Sequence, residues 1–231
     1  LKPVQQQSSL SHPVRRRAMA SPAAQLRPRW EKLCESLAVN AGAAQGTWGM
    51  LEYLHGEGHR AYHTLAHLQE MFDYFDEHTA SITDHKAVSL AIFFHDAIYN
   101  PRAGSPKNEQ DSAGLFERFA QEAFPSDMGT GPPGRAKGDL IAKVMRWIVQ
   151  TAHHKCSPTD EEDCKLFMDF DMAVLGREWT LYAVYTAQIR QEYIHVPEVL
   201  FCKGRKAFLQ NTATGATPIY ATDAFRDSRE R

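Results

Sequence analysis

No stretch of this chain approaches the roughly 18 consecutive apolar residues that a membrane-spanning helix requires. The longest candidate is the short run from Ala87 to Phe94, so no membrane partner is expected. An excess of charge is missing as well: 26 Lys and Arg stand against 28 Asp and Glu, a formal net charge of −2. That balance gives no basic surplus to neutralise a nucleic-acid backbone and no acidic tail, and a small-molecule partner fits better than a nucleic acid polymer. Cysteine is sparse. Cys34, Cys156, Cys164 and Cys202 show no CxxC spacing, and a chain of this size needs no disulfide framework. They read as reduced thiols in a cytosol-like compartment, so a cytoplasmic location is expected. The spacing of Cys156 and Cys164 matches no common zinc ribbon or finger. Internal repeats and sustained heptads are absent too, which sets aside solenoids and coiled coils.

What the 231 residues do contain is enough apolar material, 43%, for one large domain. Beyond Trp30, apolar residues recur at spacings of three and four with almost no alternation, which predicts an all-α fold. The expected helices run from Arg29 to Val39, Ala44 to Gly56, Tyr62 to His78, Asp84 to Ala97, Lys107 to Phe124, Gly138 to His153, Asp160 to Leu175, Glu178 to Ile194 and Glu198 to Asn211. Thr83-Asp84 is a capping signal, Asn100-Pro101 a stop, and Gly176 an end after Leu175. The stretch between Pro125 and Gly138 reads as the one long flexible loop. Residues 1–28 are set apart: from Leu1 to Trp30 there is no acid, but there are Arg15, Arg16, Arg17, Arg27 and Arg29 amid Ser, Gln and Pro. Such a segment is read as disordered, as non-native residues ahead of Met19, or as organelle targeting. Residues 29–231 are the expected helical catalytic domain.

Three segments carry candidate chemistry. His63 and His67 are four apart, which on a helix places both on one face. Thr64 occupies the position where a zinc-protease motif would have its glutamate, and taken alone the pair is compatible with ordinary surface or core histidines. The nearly uninterrupted apolar run from Ala87 to Phe94 ends in His95-Asp96. Burying an imidazole and a carboxylate there costs several kcal/mol unless a cation or solvent compensates them. In the third segment Asp169 and Asp171 interrupt an apolar helix and, two apart, cannot share a face. Asp171 aligns with Phe167, Val174 and Leu175 and is the inward candidate; Asp169 is expected to cap or to face solvent. Imidazole and carboxylate ligands from separate helices suit a divalent Mn, Fe, Co, Ni, Zn or Mg ion with positions open to water.

The order His67, His95-Asp96, Asp171 resembles the H…HD…D signature of the HD superfamily of metal-dependent phosphohydrolases. Tyr62-His63-Thr64-Leu65-Ala66-His67 is also similar to the Y-H-N-x-x-H motif of cyclic-nucleotide phosphodiesterases, with Thr64 where those enzymes have Asn. The closest likeness is to small stand-alone predicted HD phosphohydrolases, from about Trp30 to Tyr220. It rests on R-x-Y-H-x-x-x-H (Arg60 to His67), F-H-D-x-x-Y (Phe94 to Tyr99), N-E-x-x-S-A (Asn108 to Ala113), D-x-D-x-x-x-L-G (Asp169 to Gly176) and I-R-x-E-Y (Ile189 to Tyr193). The resemblance implies an HD-domain helical bundle in which His67, His95, Asp96 and Asp171 hold the metal, activated water attacks phosphorus, and His63 protonates the leaving group. The implied substrate is a small phosphorylated metabolite or nucleotide, hydrolysed as a phosphomonoester or phosphodiester. A non-catalytic regulatory protein using the same centre to bind metal or nucleotide is the alternative, and a homo-oligomer is compatible with either.

Further candidates surround this set. Glu109 follows Asn108 at a helix start, where an acid is favourable against the dipole; its functional reading is to orient or deprotonate water beside the metal. His153 and His154 can cap a helix C-terminus or serve a second metal or a phosphate. Among the arginines and lysines able to meet an anionic substrate, Arg60 and Arg190 come first because they lie in family motifs, ahead of Lys203 and Arg205; Tyr62 joins them as a substrate contact. The aromatic runs Phe72, Tyr74, Phe75 and Tyr182, Tyr185, Tyr193 read as core.

Overall fold

The computed structural model describes residues 20–126, 128, 135–213 and 218–229. The remainder of the 1–28 segment, and most of the loop expected after Pro125, lie outside the described residues. The fold is all-α, with ten α-helices and no strand among the described residues. Helices α1 (Pro22–Ser36), α2 (Ala41–His55), α3 (Leu65–Glu77), α4 (His85–Phe94), α5 (Lys107–Ala123), α6 (Arg135–Gln150) and α7 (Glu162–Met172) build the main body; α8 (Trp179–Glu192), α9 (Glu198–Ala213) and α10 (Asp223–Arg229) follow. No helix is long and apolar enough to cross a membrane, among the described residues.

Helix α4 is the axle. Every residue from Ala87 to Phe94 is buried, and α3, α5, α6 and α7 pack around it. This is why its sequence lacks an amphipathic period: it has no solvent face to mark. Asp84 starts it cleanly by accepting the Ala87 N–H at 3.0 Å. Trp30 of α1 fills the space beside it, with ring centroids 5.1 Å from Phe93 and 5.4 Å from Phe119, and its indole N–H reaches Ala44 O at 2.8 Å.

Four expectations are corrected. The first helix begins at Pro22, not Arg29. Ser21 caps it, proline opens it, and Leu26 is fully buried in the core, so the body takes in residues assigned by composition to the 1–28 segment. Lack of acids marks a composition, not a boundary. The third helix begins at Leu65, because Thr64 turns extended and caps it through the Ala66 N–H; His63 therefore precedes the helix and does not share a helical face with His67. Asp169 does not face solvent: α7 is buried on nearly every side from Asp163 to Phe170, leaving no outer face to assign. Its carboxylate accepts from Ala221 N, Thr222 N and Thr222 Oγ1 at 2.6 to 2.8 Å, which fixes the entry to α10. That helix, the fourth difference, has one apolar anchor, Phe225, packed on His78 and Phe170, too little for a periodic signal. Gly176 stands where room, not handedness, is short: a Cβ there would lie 2.7 Å from both Arg229 Cβ and Tyr220 Oη.

If Leu26 anchors the start of the body, Leu26→Ala lowers unfolding stability by about 2–4 kcal/mol, the cost of emptying a buried leucine site. Urea titration followed by circular dichroism measures it, and a change within about 0.5 kcal/mol, typical of surface sites, would return residues 22–28 to a loose segment.

Candidate metal centre

The end of α4 delivers His95 and Asp96 to the centre of the bundle. His95 caps the helix, and its ring Nδ1 lies 3.0 Å from Ile92 O. Donation to that carbonyl places the proton on Nδ1 and turns the Nε2 lone pair inward. His67 arrives from the first turn of α3. The ligand atoms of His67, His95 and Asp96 all fall within 4.8 Å of one another. Asp171, at the end of α7, closes the group: its Oδ1 is 3.1 Å from His67 Nε2 and 3.8 Å from His95 Nε2, while its Oδ2 meets His154 Nε2 at 2.8 Å.

Two imidazole nitrogens and the Asp96 carboxylate converge on one point, with the Asp171 carboxylate beside them, a donor set that suits a borderline divalent cation. The hydrogen bonding agrees with this use. His95 Nε2 is buried and has no hydrogen-bond partner, although Asp96 Oδ2 stands 3.1 Å away, and a buried polar atom left unpaired calls for a partner. Protonation points the same way. Burial opposes a charge on His95, but Asp96 and Asp171 outweigh it and raise the imidazole to about 9. Burial likewise opposes charge on Asp96 and Asp171, yet His95 and, for Asp171, His154 hold both well below the usual carboxylate range. The carboxylates are a seat for positive charge, in which a proton and a metal ion compete.

The surrounding residues hold this geometry in place. Arg60 was expected to meet substrate; instead its side chain is buried. It donates to His63 O at 3.1 Å, to Asp96 O at 2.7 Å and to Ala97 O at 2.9 Å, with Glu57 taking its remaining donors at 3.3 Å. It ties the loop carrying His63 to the loop carrying Asp96. Glu192, near the end of α8, was not singled out by its sequence, though it sits in the Ile189 to Tyr193 motif. Its Oε1 accepts the backbone N–H groups of Ala61, Tyr62 and His63, and its Oε2 meets His63 Nδ1 at 2.6 Å and the Tyr99 hydroxyl at 2.8 Å. Burial would raise its carboxyl, but these donors and the His63 charge lower it to about 2. Burial works against the charge on His63 in turn, and Asp96 together with Glu192 raises that imidazole above its ordinary value.

A cavity of about 530 Å³ opens over the centre. Its wall includes Tyr62, His63, Asp96, Glu109, His154 and Asp171, while His67 and His95 are almost fully buried. Glu109 lines the cavity, and its Oε2 is buried without a hydrogen-bond partner. His153 does not: it is exposed, and its Nδ1 accepts from Lys155 N. The turn separates it from His154, which takes a left-handed φ of 51° to reach Asp171. Arg190 is absent from the wall and donates to Tyr193 O while lying over Phe201. Arg205 on α9 lines the cavity. No family model matches this chain, and neither a curated protein nor a solved structure matches it.

With these donors, the purified protein is expected to bind a divalent ion, Asp96→Ala to lose it, and the ion to raise Tm more at pH 8 than at pH 6. The sign follows from His95: its raised folded-state value stabilises the fold below the ordinary histidine range and loses that contribution as pH rises through about 9, while rising pH removes the competing proton from the metal. Mass-spectrometric metal content and thermal melts check it; an equal shift at both pH values would dissociate the ion from these histidines.

Proposed function

We propose that the protein is a metal-dependent phosphohydrolase with an HD-type helical bundle, acting on a small phosphorylated molecule. The observation that carries the reading is the pairing of two features on one cavity. One is the group His67, His95, Asp96 and Asp171; the other is an imidazole, His63, held by a carboxylate that does not belong to that group. A metal seat alone could be structural. A half-buried imidazole oriented by Glu192 and facing the same cavity is what proton transfer to a leaving group requires.

A divalent ion held by these four residues would acidify a water molecule and polarise a phosphoryl oxygen. The chain's own residues supply the remainder. His63 keeps its proton through Glu192 and offers it to the departing oxygen, and Glu109, its Oε2 free of other partners, orients the attacking water and takes up its proton. Arg60 contributes by position, since it fixes the backbone of both His63 and Asp96. Dianionic phosphate meets His154 at the wall, and the carboxylates stay behind it as ligands.

Phosphate release from a metabolite panel with Mn²⁺ tests the reading. The wild type is expected to turn over at least one ester, Asp96→Ala to be inactive, and His63→Asn to lose about 10²–10⁴-fold in kcat, the usual share of a general acid. Metal bound with no hydrolysis across the panel would make the centre a regulatory one.

The His63–Glu192 pair makes a separate prediction on pH. His63 donates its proton, so activity falls when it deprotonates; with Glu192→Gln the raised value drops and the alkaline limb of the kcat profile moves to lower pH. A profile that keeps its alkaline limb in place would assign that limb to a different group.

A further inference from the structure

The cavity is far larger than a phosphoryl group needs, and its 530 Å³ falls in the range that takes a whole organic ligand. The centre accounts for one side of it only. The opposite wall comes from α8, the turn after it and α9, and is apolar: Ile189, Val196, Leu200, Phe201 and Phe208 line it. Helix α9 contributes no buried residue to the core. Instead, large apolar side chains of the lining stand in water, Leu200 at 59% and Phe208 at 39% exposure, which is unfavourable unless a ligand covers them.

Charge on the wall is as informative. Among the described lining residues the one permanent cation is Arg205. It lies 5.0 Å over the Tyr185 ring and 4.9 Å over the Phe208 ring and donates to the Tyr182 hydroxyl at 3.3 Å, while its Nε has no hydrogen-bond partner. A di- or triphosphate chain is ordinarily met by several arginine or lysine donors, and the described wall offers one. The wall amides able to read the edge of a base are partly committed as well. Asn108 uses its oxygen for Asn100 N and its nitrogen for Asn100 O, and the Asn100 oxygen accepts from Arg102 N.

We infer that the substrate is a phosphomonoester of an apolar or aromatic alcohol, with its phosphoryl group at the metal centre and its organic body against α9. This inference rests on the phosphohydrolase reading for its polar end. In the reaction the oxygen of water bonds to phosphorus, the ester phosphorus–oxygen bond breaks, the alcohol leaves with the His63 proton, and the proton lost by water restores the site.

The experiment measures kcat/KM for phosphate release from decyl phosphate, 1-naphthyl phosphate, methyl phosphate, AMP and ATP with Mn²⁺. In parallel, decylphosphonate and methylphosphonate are titrated into the Mn²⁺-loaded protein by calorimetry. Decyl and naphthyl phosphates are expected to exceed AMP by about tenfold or more, a modest value for a buried apolar group. Leu200→Asp, an exposed position that leaves the core intact, is expected to lower decyl phosphate turnover by about tenfold and methyl phosphate turnover by less. Val199→Asp, 80% exposed and off the wall, is the control that changes neither. Preference for AMP or ATP, or equal effects of the two α9 variants, overturns the inference and leaves the phosphohydrolase reading intact. Absence of hydrolysis from every ester overturns that reading, and the titration then decides the ligand class. Decylphosphonate bound about tenfold more tightly than methylphosphonate supports an apolar ligand, and equal binding rejects it.

Discussion

Helix α4 carries eight consecutive buried residues into the centre of the bundle and delivers an imidazole and a carboxylate at its end. Ionised groups in such surroundings lose most of their hydration, a cost of several kcal/mol each, which the cavity beside Asp96 relieves only in part. The surrounding architecture answers that cost. His67 from α3 and Asp171 from α7 converge on the same point, His154 turns left-handed to reach Asp171, and the group as a whole pairs positive with negative charge. Removing one member leaves the others buried and uncompensated, which is why the set acts as a unit.

A second layer gives the arrangement its precision. The two loops that bear His63 and Asp96 have no regular structure of their own, so their backbone carbonyls and N–H groups need partners. Arg60 satisfies the carbonyls and Glu192 the N–H groups. The two charged residues are buried through these bonds rather than through contact with each other. Each therefore joins stability to function: the bonds that settle the backbone also orient His63. Tyr99 extends the arrangement by donating to the same glutamate and stacking on the His63 ring, 4.2 Å between centroids.

The protein divides into two apolar bodies of unequal firmness. The main core holds α1 to α7 and α10 together around Trp30, Phe72, Phe93, Phe94 and Trp147. A smaller cluster of Tyr62, Val174, Tyr185 and Ile189 joins α8 to the wall of the cavity, and α9 lies beyond it. His67, His95, Asp96 and Asp171 sit beside the main core, and the apolar wall beside the smaller cluster.

Much of this was legible along the chain. Period and spacing identify the all-α class and most of the helices, because a helix that packs on one side must place apolar residues at three and four. His95 and Asp96 were legible for a different reason: polar residues at the close of a long apolar run have no cheap place to go unless they serve together, whereas His67 was read from its spacing to His63, which the start of α3 at Leu65 removes from a shared helical face. Other features were set by tertiary structure. Asp169 and Asp171 could not be sorted by helical face, since α7 is enclosed on nearly all sides; Asp169 instead anchors the turn that leads into α10, more than 50 residues later. Arg60 looked like an anion contact, and only the approach of two distant loops made it an internal clamp. Glu192 gave no signal, because a single glutamate in a helix is ordinarily a solvated one, and its value depends on a backbone about 130 residues away. The sequence by itself determined which residue types and periods were available; which of them meet was decided by the packing of α3, α7 and α8 around the buried end of α4, because charge can be compensated only by neighbours in space.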